Sequence, residues 1–262
     1  VTYLPPGANG LLDIEVLKQA LRPDTLAVSI MYVNNETGVT QDIARIAKLV
    51  KQNGSFMHVD AVQAIGKMPI DMMDLPVDLL SMTAHKVYGP KGIGALYIRR
   101  KPAVRLQALL YGGGQEQSLR PGTLATHQIA GLGKAFELAQ ANMTKEVARI
   151  AQLKQRFWQG IKDLPGVGLN GDFEHSVCGI INVHFAGIDS DVLIKALPQI
   201  AVAAGAACSS AMIETSHVLR AMRLDEELAH SSLRFSFGRY TTEQEIDFVV
   251  KLLKEKLPVL LG

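Results

Sequence analysis

Lys86, in the run Ser81-Met-Thr-Ala-His-Lys-Val-Tyr-Gly89, closes an apolar, strand-like segment after small polar residues. Asp60, twenty-six positions upstream in His58-Val-Asp-Ala-Val-Gln63, ends the strand before it. Alone, a lysine at a strand end is more often a solvated charge, and an aspartate there is often a helix N-cap. Together they have the chemistry that pyridoxal phosphate (PLP) requires. An amine holds the aldehyde carbon as a Schiff base, and a carboxylate keeps the pyridine nitrogen protonated so that the ring is an electron sink. Desolvation, which lowers a lysine pKa, would make Lys86 both nucleophile and base.

Other side chains fall into place around this pair. Thr83 and His85 flank Lys86 and are expected to meet the phosphate or brace the lysine, although Thr83 by itself reads as an ordinary strand threonine. Gln63 and Asn35 are expected to hydrogen-bond the phenolic oxygen, with Asn35 also reading as a turn residue in Asn34-Asn-Glu-Thr-Gly38. His58 is expected to be a packed strand histidine. Arg234, in the apolar Leu233-Arg-Phe-Ser236, needs an anionic partner. A substrate α-carboxylate fits its bidentate fork, as does an internal acid. Cys208 lies in Ala203-Ala-Gly-Ala-Ala-Cys-Ser-Ser-Ala211, small residues with no bulk to anchor a core position, which suits a reactive thiolate. Cys178 reads as a core thiol. No residue is assigned to a metal.

The elements that must position these residues alternate. Helical spacing over 12–21 follows Asp13 as N-cap, and 25–33 is a continuous apolar strand of the kind buried on both faces. An amphipathic helix over 42–52 stops at Asn53-Gly54, and strands follow at 55–60, 77–83 and 94–98. This repetition predicts an α/β fold with a mostly parallel sheet. Ligands of such sheets sit beyond the strands' carboxyl ends, and Asn35, Asp60 and Lys86 all fall there. A long helix over roughly 129–164 follows a glycine-rich loop. A smaller α+β region comes after it, with strands at 179–185 and 233–236 and helices at 189–197 and 242–257. Thr242 and Glu245 match a capping box on the last helix. We place the boundary near residue 140, giving a large PLP-binding domain over 1–140 and a small C-terminal domain over 141–262 that carries the cysteine loop.

Composition limits the rest. With 262 residues, 48% of them hydrophobic, the chain can bury a substantial core. A net charge of +2 and no long basic run give nucleic-acid binding no support. The apolar stretches fall short of the roughly eighteen residues a membrane span needs. Two cysteines do not make a disulfide framework, so a reducing compartment is expected, either a bacterial cytoplasm or an organelle matrix.

The chain resembles the cysteine desulfurases of the class V aminotransferase group. The matching stretches are Val33-Asn-Asn-Glu-Thr-Gly38, His58-Val-Asp-Ala-Val-Gln63, His85-Lys-Val-Tyr-Gly-Pro-Lys-Gly-Ile-Gly94, Arg120-Pro-Gly-Thr123, Gly205-Ala-Ala-Cys-Ser-Ser210 and Ser231-Ser-Leu-Arg-Phe-Ser236, in family order. The resemblance implies a PLP enzyme that converts L-cysteine to L-alanine, with Cys208 taking the sulfur as a persulfide. The acceptor would be an iron–sulfur scaffold or another sulfur-accepting protein. It also implies that Thr123 reaches the phosphate of a neighbouring subunit, hence a homodimer. A selenocysteine lyase or a class V aminotransferase is the alternative, and transaminases need no thiol. The resemblance further implies on the order of a hundred residues ahead of Val1, including the helix start that cradles the phosphate and a ring-stacking histidine. The chain is therefore expected to be a fragment that binds PLP weakly, or a catalytically silent one.

Overall fold

The structure, a computed structural model, describes residues 1–101, 104–204 and 215–262. They form two compact units. One comprises Leu21–Tyr32 and Asp42–Met143, and the other Val1–Ala20, Val33–Gln41 and Thr144–Gly262.

The unit containing Lys86 is built on a four-stranded sheet in the order β1 (Ala27–Met31), β2 (Phe56–Asp60), β3 (Leu79–Thr83), β4 (Gly94–Ile98). The first three strands run parallel, with Met31 opposite Asp60 and Asp60 opposite Ser81. β4 returns antiparallel and pairs Gly94 with Thr83. Helix α2 (Ile43–Gln52) begins where the Asp42 side chain accepts the Arg45 N–H. Its apolar stripe, Ile43, Ile46, Ala47 and Val50, is buried. On β2, Met57 and Val59 are buried, whereas Phe56, His58 and Asp60 alternate onto the other face. β1 differs from expectation. Among the described residues it lies at the edge of the sheet, and Ala27 and Ser29, which share one face, are exposed.

The other unit contains α1 (Ile14–Ala20) and an antiparallel sheet in the order β5 (Val167–Asn170), β6 (Ile180–Phe185), β7 (Ser232–Ser236). Helix α3 (Thr126–Ile161) runs on from the first unit, and α4 (Ser190–Ala196), α5 (His217–Ala221), α6 (Glu226–His230) and α7 (Glu243–Leu261) complete the element order. Thr242 and Glu245 form the expected capping box on α7. The core closes on Phe157, which stacks at a tilt on Phe235 with ring centroids 4.6 Å apart. Trp158 lies at the edge of this core against Phe173.

Lys154 is buried in the same unit, 4% exposed, and donates to Ser176 Oγ at 2.6 Å and to the Val177 carbonyl at 3.1 Å. Burial pushes its pKa down to about 8, against the opposing pull of Cys178 and Asp172. The folded state therefore binds this proton more weakly than the unfolded state. Between about pH 8 and the ordinary lysine value of 10.5, unfolding takes up a proton and stability rises with pH. The gain is on the order of 3 kcal/mol across that window. Urea unfolding at pH 7.5 and 10.5 should show it in the parent protein. Lys154→Met should flatten the rise, and an equal rise in both would mean the ammonium is not desolvated.

Candidate functional site

The unit built on the parallel sheet holds most of the candidates. Asp60 is the last residue of β2, and its Oδ1 accepts the Val62 N–H at 2.9 Å, which fixes the carboxylate at the strand end. Ala61, which follows it, donates its own N–H to the Ser81 carbonyl at 3.0 Å, so the chain leaves the sheet in register with β3. Gln63 is buried, and its Oε1 accepts from Lys67 Nζ at 3.0 Å, which leaves its amide nitrogen as the end suited to donate to a ligand oxygen. His58 bridges three strands. Nδ1 meets Ser29 Oγ at 2.8 Å and Nε2 meets Ser81 Oγ at 2.9 Å. Burial holds its pKa below the ordinary histidine value, with Asp60 pulling the other way, as befits a packed strand histidine.

Thr83 ends β3. Its hydroxyl lies 2.9 Å from His85 Nδ1 and donates to the Ile93 carbonyl at 3.1 Å. Lys86 follows in a tight turn in which the N–H groups of Val87 and Gly89 both donate to the Ala84 carbonyl, at 3.0 and 2.9 Å. The turn is anchored by buried Val87 against Ala135 and Ala139 of α3. It can lie this close because a Cβ on Gly89 would stand 2.8 Å from the Ala84 Cβ and 3.0 Å from the Ala135 Cβ. Lys86 itself is exposed, so the desolvation expected of it is not met among the described residues. Thr123 is also exposed, in the loop before α3.

The donor set of this unit fits PLP. A primary amine and a carboxylate leave the carboxyl ends of adjacent parallel strands. A hydroxyl–imidazole pair (Thr83 and His85) sits beside the amine, and a buried amide (Gln63) lies three residues beyond the carboxylate. That is the complement of an aldehyde, a pyridinium, a phosphate and a phenolic oxygen.

Asn35 and Arg234 belong to the other unit, where they meet directly. Arg234, on β7, donates through Nη1 to the Asn35 carbonyl at 3.0 Å. The turn carrying Asn35 is shaped by Asn34, whose Oδ1 accepts the N–H groups of Glu36 and Thr37, each at 2.9 Å. The side chain of Asn35 itself is half-buried. The turn is closed by a bridge between Val33 and Thr40. Val39 bridges in turn to Ser176, which docks the turn onto its own unit. Gly38 permits the fit with φ +79, and a Cβ there would lie 3.0 Å from the Ile180 Cβ.

Cys208 lies outside the described residues. Cys178 is buried, as expected of a core thiol. Sequence reasoning missed Glu36, which is 1% exposed and accepts a hydrogen bond from Ser216 Oγ at 2.6 Å. Its only trace in the sequence is an acid inside a turn-like run. Among the described residues no group of three or more His, Cys, Asp or Glu could hold a metal ion. No helix among them is long and apolar enough to cross a membrane.

Residues 1–249 match the family described as Aminotransferase class-V. The chain is 56% identical over 257 residues to a cysteine desulfurase IscS of Aeromonas hydrophila. It is 52% identical over 257 residues to the protein of the same name from Escherichia coli K12. Each comparison covers 98% of this chain but 64% of the relative, so the chain spans about two-thirds of the length of the curated relatives it matches. Among solved structures it is similar to a NifS-like protein, with TM-score 0.89, 35% identity and coverage of 99% of this chain and 68% of the other. A NifS-like protein from Rickettsia africae gives TM-score 0.88 at 29% identity, covering 96% of this chain and 68% of the other.

Proposed function

From the premise that this chain belongs to the aminotransferase class-V family, we propose that the protein is a PLP-dependent cysteine desulfurase. The observation that carries the reading is the placement of Asp60 and Lys86 after adjacent parallel strands, in a chain 56% identical to a cysteine desulfurase.

Bound PLP supplies an electrophilic carbon for an amine and an electron sink for the bond broken next to it. Lys86 would hold that carbon and then move the proton at the substrate α-carbon, as general base and acid in turn. The Asp60 carboxylate would keep the ring nitrogen protonated, and Gln63 and Asn35 would hydrogen-bond the phenolic oxygen. Thr83 and His85 would face the phosphate, with Thr123 serving the phosphate of a neighbouring subunit in a homodimer. Arg234, already oriented by the Asn35 carbonyl, would bind the substrate α-carboxylate. The thiolate of Cys208 would attack the sulfur of the bound L-cysteine. A sulfur–sulfur bond forms as the substrate Cβ–S bond breaks, and its electron pair passes to carbon, which takes up a proton to become L-alanine. The persulfide would then pass to a sulfur acceptor such as an iron–sulfur scaffold protein, in a bacterial cytoplasm or an organelle matrix.

The test is to load the protein with PLP, add L-cysteine and follow alanine and the mass of Cys208 together. Alanine formed in step with a gain of one sulfur on Cys208 supports the reading. Amino-group transfer without any sulfur on the protein would replace it with an aminotransferase.

A further inference from the structure

The polar face of the small antiparallel sheet has no part in the chemistry assigned above, yet it is buried at Asn170, Asn182 and Ser232. The opposite face sends Ile181, Val183, Leu233 and Phe235 into the apolar core, as strand alternation requires. Burying amides is costly unless each is hydrogen-bonded, and here the bonds form one connected set. Asn170 Nδ2 donates to Asn182 Oδ1 at 2.7 Å and to Ser232 Oγ at 2.8 Å. Asn170 Oδ1 lies 2.7 Å from His184 Nδ1. Among the described residues no buried side-chain nitrogen or oxygen lacks a partner.

The set ends on the backbone of one turn. Asn182 Nδ2 donates to the Glu36 carbonyl at 3.3 Å. Arg234, directly opposite Asn182 in the pairing of β6 with β7, donates to the Asn35 carbonyl at 3.0 Å. Two cross-strand neighbours on one face thus hold two consecutive carbonyls. The turn moves as a unit, because Asn34 Oδ1 accepts the N–H groups of both Glu36 and Thr37 and Val33 bridges to Thr40. A shift of the Glu36 carbonyl therefore carries the Asn35 carbonyl with it. The bond from Arg234 uses Nη1, and the edge formed by Nε and Nη2 keeps the fork geometry that a carboxylate matches. An arginine held at one nitrogen has already given up much of its rotamer freedom, which preorganises it for an anion.

From this geometry we infer that Asn182 is a positioning residue for the substrate α-carboxylate. By holding the Glu36 carbonyl it sets the place of the Asn35 carbonyl, and that carbonyl aims the guanidinium of Arg234. An apolar side chain at 182 would leave the Glu36 carbonyl buried without its donor and the turn free to shift. The inference rests on the desulfurase reading and deepens it, because it concerns recognition of the substrate carboxylate rather than cofactor or thiol chemistry.

The test uses the full-length, PLP-loaded protein with Asn182→Ala and the volume-conserving Asn182→Leu. Each should raise KM for L-cysteine about tenfold, equivalent to about 1.4 kcal/mol, and leave kcat within about twofold. Two competing ligands separate carboxylate recognition from the rest of the site. The first, β-mercaptopropionate, keeps the carboxylate and thiol of cysteine without the amine, and its inhibition constant should rise about tenfold along with KM. Cysteamine keeps the amine and thiol without the carboxylate, and its inhibition constant should stay within about twofold of the parent. The absorbance of the bound cofactor before substrate is added should match the parent. An unchanged KM in both variants, an equal weakening of both inhibitors, or loss of the cofactor or of the folded state in both would overturn the inference while leaving the desulfurase reading intact. A parent protein that makes no alanine from L-cysteine would overturn both.

Discussion

In the full-length protein, replacing Lys86 with alanine is expected to remove the visible absorbance of bound PLP and to lower turnover with L-cysteine by at least about a thousandfold. Two losses combine. The covalent hold on the cofactor disappears, and so does the proton carrier at the α-carbon, a role whose removal alone costs about a hundredfold to ten-thousandfold. The local structure should survive, because the turn is held by main-chain bonds to the Ala84 carbonyl and by buried Val87, none of which involve the amine. No neighbour can take over. Lys91 is five residues further on, beyond Gly89 and Pro90, and the side chains closest in sequence, His85, Val87 and Tyr88, carry no amine. A PLP titration followed by an absorbance scan and an alanine assay gives the answer. Turnover within tenfold of the parent would remove Lys86 from the centre of the mechanism.

Replacing Cys208 with alanine has an equally large effect on a different step. Cofactor binding and the spectral response to L-cysteine should stay at parent levels, since in the proposed reading they depend on Lys86, Asp60 and Arg234. Sulfur transfer to the protein should stop, because the other cysteine of the sequence, Cys178, is buried in the core. Stopped-flow spectra together with the intact mass of the variant after exposure to L-cysteine separate the steps. Alanine made at the parent rate would make Cys208 structural and favour a lyase or aminotransferase.

The elements that were legible in the sequence carry their own punctuation. Asp42 and Asn53-Gly54 bracket α2, and Thr242 with Glu245 opens α7. β4 follows from a run of apolar residues after Gly94. β5 was hidden, because Pro165-Gly-Val-Gly-Leu-Asn-Gly171 reads as a turn. Gly166 and Gly171 do turn there, with φ of +74 and +113, and the residues between them become a strand only by pairing with β6. Five-residue helices such as α5 and α6 are too short to show a period. On β1, apolar content predicted burial on both faces, but burial depends on what packs against each face, and the face bearing Ala27 and Ser29 is exposed among the described residues. The site divided in the same way. The places of Asp60 and Lys86 after adjacent strands could be read because strand ends are visible in a sequence. Glu36 could not, because what gives it meaning is a serine 180 residues away. Nor could the assignment of 1–20 and 33–41 to the unit that holds 144–262, which depends on packing alone.

That discontinuity sets a timetable for synthesis. Every residue here assigned to the parallel-sheet unit has been made once Met143 is added, whereas the other unit draws on Val1–Ala20 and Val33–Gln41 and must wait for residues from Thr144 onward. The Asn35 carbonyl meets its Arg234 donor only 199 residues later, about 10 to 40 s at ordinary rates of translation. For that interval the turn from Val33 to Gln41 leaves the ribosome with Val33 and Val39 uncovered and the Glu36 carboxyl unpaired, between neighbours that can already fold. Until those partners are made, water must stand in for them.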